Sequence, residues 1–172
     1  MSRQMKIAGI ILVVLLGSAA VFAVLNYQSL QEKKDLQNSA SFKILTQEEE
    51  YTVSVADIEN IGIQDIKANY KPSGKAPVER TYQGVPFADI LGSLDIDTSS
   101  YQTVTFTAAD GYATAISIDE AVDPEICAIV TKLDNQPLGK KEEGGSGPLM
   151  MILPKDQFSQ RWCKFLMEVQ FS

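Results

Sequence analysis

Apolar residues fill the chain without interruption from Ile7 to Leu25; after that they come in short alternating or helically spaced groups. The first run is about 19 residues with no charge. At about 1.5 Å rise per residue it nearly spans a ~30 Å hydrocarbon core. Arg3 and Lys6 precede it and no acidic residue occurs before Glu32. Positive charge stays on the cytoplasmic side, so residues 1–6 are expected inside and the rest of the chain outside. Residues 7–27 then form a single-pass transmembrane anchor. The alternative is a signal peptide cut after Val21-Phe22-Ala23, leaving a secreted domain. The run continues through Val24 and Leu25 past that point, which favours the anchor. No cysteine stands near its end, so a lipoprotein anchor is excluded. Residues 28–41 are polar and mixed in charge and read as a stalk, part helical at most.

Residues 42–172 read as one extracytoplasmic domain of short strands and short helices. Tyr51-Thr-Val-Ser-Val is strand-like, and Ser54 with Asp57 has capping-box spacing. Residues 71–80 hold two prolines and a glycine and are expected to be a loop. Pro86 occupies a first-turn position, and Phe87, Ile90, Leu91 and Leu94 follow at i, i+3, i+4, i+7, the apolar face of a short helix. Thr103–Thr107 and Tyr112–Ile118 each alternate polar with apolar, and Asp110-Gly111 lies between them. That pattern predicts a hairpin, because its turn needs the positive φ that glycine adopts without strain. Ser117 and Glu120 repeat the capping-box spacing. Ile126–Leu133 and Leu149–Leu153 are apolar strand candidates, and Lys140–Pro148 between them is expected to be a long flexible loop. At the end of the chain Phe165, Met167, Val169 and Phe171 share one face of a strand. The fold class is therefore α+β, richer in strand than helix.

Charge and composition narrow the chemistry. All 22 acidic residues lie beyond Tyr27 but only 13 of the 15 basic ones do, so the exported part carries a formal −9. Such a domain repels phosphate backbones, which argues against nucleic acid as a partner. Histidine is absent, and with it Ser-His-Asp and Cys-His catalysis and His-ligated zinc or haem. Two cysteines, Cys127 and Cys163, are too few for an iron–sulfur cluster or a four-cysteine zinc site in one chain. On an oxidising side of the membrane they are a candidate disulfide; two buried, inert thiols are the alternative.

No other motif names a reaction. Gly144-Gly145-Ser146-Gly147 has the composition of an anion cradle, but without the lysine and hydroxyl of a P-loop and before a strand instead of a helix. A plain surface loop is the simpler reading. Asp95 and Asp97 read as a solvated turn, Glu48–Glu50 as an exposed patch, and Tyr70, Tyr82, Tyr101 and Tyr112 as pocket-lining or packing aromatics. Residue chemistry alone gives no catalytic residue and no metal ligand.

The order of motifs adds a resemblance. Tyr82-Gln-Gly84-Val85-Pro86-Phe87-Ala-Asp89-Ile90-Leu91 resembles the aromatic-x-Gly-Val-Pro-Leu-x-Asp-Leu-Leu element of sulfite-oxidase-type molybdopterin-binding domains. Val104–Tyr112 is similar to that family's hairpin ending in Asp-Gly-Tyr, and Ala128–Leu138 to its strand and Asn-Gly-x-Pro-Leu turn. Gly144–Leu149 with Pro154 resembles its Gly-Gly-Pro-Leu element, and Lys164–Val169 its closing strand. The resemblance covers roughly residues 50–172 and implies the sulfite oxidase molybdopterin-binding fold, with molybdopterin as the cofactor it suggests. It implies a pocket among Asn69, Tyr70, Tyr82, Gly84, Asp110, Gly111, Tyr112, Gly144, Gly145, Gly147 and Pro148. Enzymes of the family bind molybdenum through a cysteine placed before the Gly-Val-Pro element; here Ile66–Ser73 contains none. The family's arginine after Gly-Pro-Leu is Met150 in this chain. The expected function is therefore a ligand-binding or partner-docking module of a surface redox or transport system, without catalytic molybdenum. Alternatives are an oxidoreductase that binds a pterin or other cofactor without the cysteine, and a structural surface protein.

Overall fold

The computed structural model describes residues 3–71 and 76–172, with the side chains of 3–13, 29, 32–34, 36–38 and 142 left out. Part of the apolar run and of the 71–80 loop thus lie outside the described residues. The chain divides into two units, residues 1–35 and 36–172. Helix α1 (Arg3–Ser39) joins the apolar run and the polar stalk in one helix, more regular than the part-helical stalk expected. Among the described residues no helix is long and apolar enough to cross a membrane. Within α1 the described apolar side chains from Val14 to Leu25 are uncovered, Phe22 being 72% exposed.

The second unit is built on two five-stranded sheets. Strands β1 (Ser41–Leu45) and β2 (Glu50–Ser54) form the start of the first. Helix α2 (Val55–Ile61) follows, capped by Ser54 and Asp57 in the reciprocal arrangement their spacing predicted. Strands β3 (Gln64–Tyr70) and β4 (Val78–Pro86) pair antiparallel and open the second sheet. Helix α3 (Phe87–Ser93) then buries Phe87, Ile90 and Leu91, with Pro86 at its N-cap. Strands β5 (Thr103–Ala108) and β6 (Ala113–Ser117) make the expected hairpin, and α4 (Ile118–Val122) starts from the Ser117–Glu120 capping box. Strands β7 (Ala128–Leu133), β8 (Gln136–Pro137) and β9 (Met150–Ile152) complete the second sheet, both later strands pairing with β7. Strand β10 (Leu166–Phe171) returns to the first sheet, whose order is β2-β1-β10-β5-β6. It runs parallel to β1 and antiparallel to β5.

Inward-facing side chains of both sheets and the helices share one core. Phe87 from α3 packs edge-on against Phe106 of β5, with ring centroids 5.2 Å apart. In β4 the five residues Tyr82–Pro86 are all buried, because the strand lies between β3 and β7 and is covered on both faces. Gly84 sits there at a register shift, opposite Val130. A Cβ on Gly84 would lie 2.2 Å from the Ile129 carbonyl oxygen, so only glycine lets β4 and β7 approach this closely.

Two sequence expectations are corrected here. The cysteines are not bonded: both are buried and free. Cys127 precedes β7, whose Ala128 pairs with Ile152 of β9, whereas Cys163 bridges Met151 from another segment. Met151 pairs with Ile129 as well as Cys163, so β9 runs between the two cysteine segments. Two interstrand spacings are about 9–10 Å, beyond the ~7 Å between Cα atoms that a disulfide bridges. Phe165 also departs from the strand face expected of it. It precedes β10 with φ +54°, and the register of β10 shifts between Leu166 and Glu168.

Candidate functional site

The hairpin turn and the segment leading into β10 enclose a cleft of about 280 Å³, lined by Ala108, Asp110, Tyr112, Gln160, Trp162, Lys164 and Phe165. Local chemistry fixes the hairpin side. Gly111 adopts φ +86° and its N–H donates to the Ala108 carbonyl at 3.0 Å. The Asp110 carboxylate accepts from the Tyr112 N–H at 3.1 Å. These bonds aim Tyr112 outward, and its hydroxyl donates to the Gln160 carbonyl at 2.7 Å. The hairpin and the 156–161 segment are thereby tied together.

That segment is held from below as well. The Arg161 guanidinium donates to both oxygens of Asp156, at 2.8 and 2.6 Å, and to Glu120 of α4 at 2.9 Å. The two carboxylates push its pKa further up. Partial burial opposes ionisation of Glu120, but the Ser117 N–H and Arg161 prevail and hold it below the ordinary carboxylate value. Ser159 exchanges hydrogen bonds with the backbone of Lys71.

Trp162 is the buried wall of the cleft. Its indole N–H donates to the Leu153 carbonyl at 3.3 Å. Its ring meets Tyr82 edge-on at 5.6 Å and Tyr70 at 6.1 Å. Burial pushes the Tyr82 hydroxyl up to about 12, so it stays protonated. Lys164 Nζ lies 5.5 Å from the Tyr70 ring centroid. Beside the cleft Lys141 Nζ is 3.9 Å from Asp110 and 6.0 Å from the Phe165 ring.

Phe165 links three parts of the site. Its N–H donates to the Ser146 carbonyl at 2.8 Å and its carbonyl accepts from Ala109 at 2.9 Å. A bulky residue rarely holds positive φ, and here two backbone bonds enforce it. Gly147 makes room: a Cβ there would lie 2.7 Å from the Phe165 Cα. The glycine loop thus supports the cleft wall. Its N–H groups are already engaged, Gly144 with Lys141, Gly145 with Lys140, Ser146 with Leu138 and Gly147 with Gly139. The loop expected to be flexible is a hydrogen-bonded turn with a short 3-10 segment, and no run of its N–H groups is left to cradle an anion.

Of the residues the resemblance points to, Asp110 and Tyr112 line the cleft and Gly111 shapes its turn. Tyr70 and Tyr82 reach it through Trp162, and Gly147 stands behind Phe165. Gly144, Gly145 and Pro148 belong to the supporting loop. Asn69 is exposed on β3 opposite Glu79, and Gly84 is a packing residue within the second sheet. Sequence reasoning passed over Ala108, Gln160, Trp162, Lys164 and Phe165. A signal existed in the lone tryptophan of the chain, two residues before Lys164.

Both thiols lie inside the protein. Burial pushes Cys127 far up, and burial followed by the Asp110 charge raises Cys163 to about 12. Cys163 lies between two cleft-lining residues yet has no exposed surface.

Comparison with known proteins agrees with this architecture. The family described as oxidoreductase molybdopterin binding domain matches residues 38–172. No curated protein matches the sequence. Among solved structures, the chain resembles the sulfane dehydrogenase SoxCD from Paracoccus pantotrophus, with a TM-score of 0.61 and 13% identity over 76% of this chain. It spans only 37% of the length of that protein. At that identity the likeness is one of fold. A fold likeness at a TM-score of 0.61 and a family match over 38–172 lead to one conclusion: this chain belongs to the oxidoreductase molybdopterin binding domain family.

Proposed function

We propose that the chain is a membrane-tethered, extracytoplasmic domain that binds a ligand or docks a partner at the Tyr112–Trp162 cleft and holds no catalytic molybdenum. The observation that carries this reading is the state of the thiols. Molybdenum ligation as the family resemblance implies it needs an accessible thiolate, and thiolate is what both cysteines resist forming. Cys127 and Cys163 have no exposed surface and are pushed far above neutral pH by burial. The stretch Ile66–Ser73, where the family places its ligand, has no cysteine. The donor set therefore does not fit a thiolate-bound molybdopterin. What remains is an aromatic and lysine-rimmed cleft suited to binding.

The tether rests on α1. The described apolar side chains of its Val14–Leu25 stretch are uncovered, and a stretch apolar all round finds a matching solvent in lipid. Arg3 and Lys6 then set the N-terminus inside.

Alkylation of the native protein tests the thiol argument. Both cysteines should resist iodoacetamide at neutral pH and react fully in denaturant; rapid native labelling of either would remove the basis of the reading. Protease added to intact cells tests the topology, since it should remove the domain and leave a small membrane-bound stub. A protected C-terminal tag would refute the tether.

A further inference from the structure

We infer that the cleft takes a small planar anion, a single aromatic ring carrying one carboxylate. The inference rests on the ligand-binding reading above and specifies its chemistry. Tyr112, Trp162 and Phe165 supply aromatic walls, and Ala108 leaves space between them. Rings bury flat apolar surface best against other rings, through offset or edge contacts. At about 280 Å³ the cleft lies just below the roughly 300–1,000 Å³ of drug-sized ligand sites, which suits one ring.

Charge decides the substituent. Among the described residues, Lys164 and Asp110 are the charged pair that lines the cleft, and Lys141 stands beside it, paired with Asp110. Asp110 already accepts from the Tyr112 N–H and pairs with Lys141, whereas Lys164, whose Nζ otherwise stands 5.5 Å from the Tyr70 ring, has no ion pair among the described residues and is the cleft-lining cation for a ligand carboxylate. With Asp110 engaged by Lys141, Lys164 offers a ligand carboxylate a cation on a domain that is acidic overall. Phe165 adds a separate indication. Its positive φ is enforced by Ser146 and Ala109, and enforced strain of this kind clusters at ligand clamps.

Trp162 is the only tryptophan, so the intrinsic fluorescence of the full-length protein reports on the cleft directly. Benzoate should produce a saturable change. Benzyl alcohol and acetate should bind at least about tenfold more weakly, one lacking the charge and the other the ring. Benzyltrimethylammonium should not bind. Lys164→Gln should weaken benzoate by about tenfold or more while Lys164→Arg keeps it, with melting temperatures of both variants confirming that they fold. A linear response to benzoate, equal binding of the alcohol or ammonium, or unchanged affinity in Lys164→Gln would overturn the inference. Its failure is separable from that of the function proposed above. Stoichiometric pterin or molybdenum in the purified protein would sink that function, whereas a protein free of both yet blind to benzoate sinks only the ligand class.

Discussion

Gly84→Ala should be among the most damaging single-methyl additions this domain can receive. The added Cβ would lie 2.2 Å from the Ile129 carbonyl oxygen, 2.6 Å from the Val130 Cα and 2.9 Å from the Ile129 carbonyl carbon. All three are backbone atoms of β7, so no rotamer change relieves the contact. The β4–β7 pairing must open, and β4 is buried on both faces. Overpacking usually costs about 1–3 kcal/mol, and a clash with backbone belongs at the upper end, about 3 kcal/mol. For a domain of this size that lowers the melting temperature by roughly 10 °C. Gly92→Ala is the internal control. It lies in α3 with nothing within 4 Å of its would-be Cβ, so it should gain up to about 1 kcal/mol of helix propensity. Thermal unfolding by circular dichroism would compare the two. If Gly84→Ala melts within a degree or two of the parent, the close approach of β4 and β7 is wrong. Should it instead weaken benzoate binding without lowering stability, Gly84 belongs to the site and not to the packing.

Three further outcomes follow from the same geometry. Gly111→Val should cost about 1–3 kcal/mol, because valine is strained at φ +86°; an unchanged chemical-denaturation midpoint would mean the turn tolerates it. Glu120 is held below its ordinary pKa of 4.5, so its contribution is present above that value and fades as pH falls through the lowered one. The stability gap between the parent and Glu120→Gln should therefore be clear at neutral pH and shrink in acid, and a gap that stays constant would contradict the Arg161–Ser117 assignment. Reductant should leave the melting temperature unchanged, while Cys127→Ser and Cys163→Ser each cost about 1–3 kcal/mol by burying a hydroxyl. Destabilisation by reductant alone would reveal the disulfide that the β9 insertion rules out.

Features governed by neighbouring residues were legible in the sequence. The hairpin announced itself through alternation around Asp110-Gly111, and both capping boxes through Ser54–Asp57 and Ser117–Glu120, because each is closed by contacts within a few residues. Strand β4 gave no such signal: covered on both faces, Tyr82–Pro86 loses the polar-apolar alternation that marks a half-exposed strand. The family resemblance pointed to a turn and a loop that border the cleft, but the cleft forms where Tyr112 meets Gln160, 48 residues further on. Phe165 was placed on a strand face by its periodicity, and nothing local encodes its positive φ; Ser146, Ala109 and the missing Cβ of Gly147 impose it. The glycine loop has a composition that fits an anion cradle and a packing turn equally well. Only its hydrogen bonds separate the two.

The central claim is that a molybdopterin-binding fold operates here without thiolate-bound molybdenum. Metal analysis of the full-length protein, purified from its native host grown with ample molybdenum, tests it most directly, with pterin fluorescence read on the same sample. The account predicts far less than one equivalent of molybdenum, unchanged in Cys127→Ser and Cys163→Ser. One equivalent of molybdenum that disappears specifically in Cys163→Ser would contradict it, because the thiol beneath the cleft would then be a ligand.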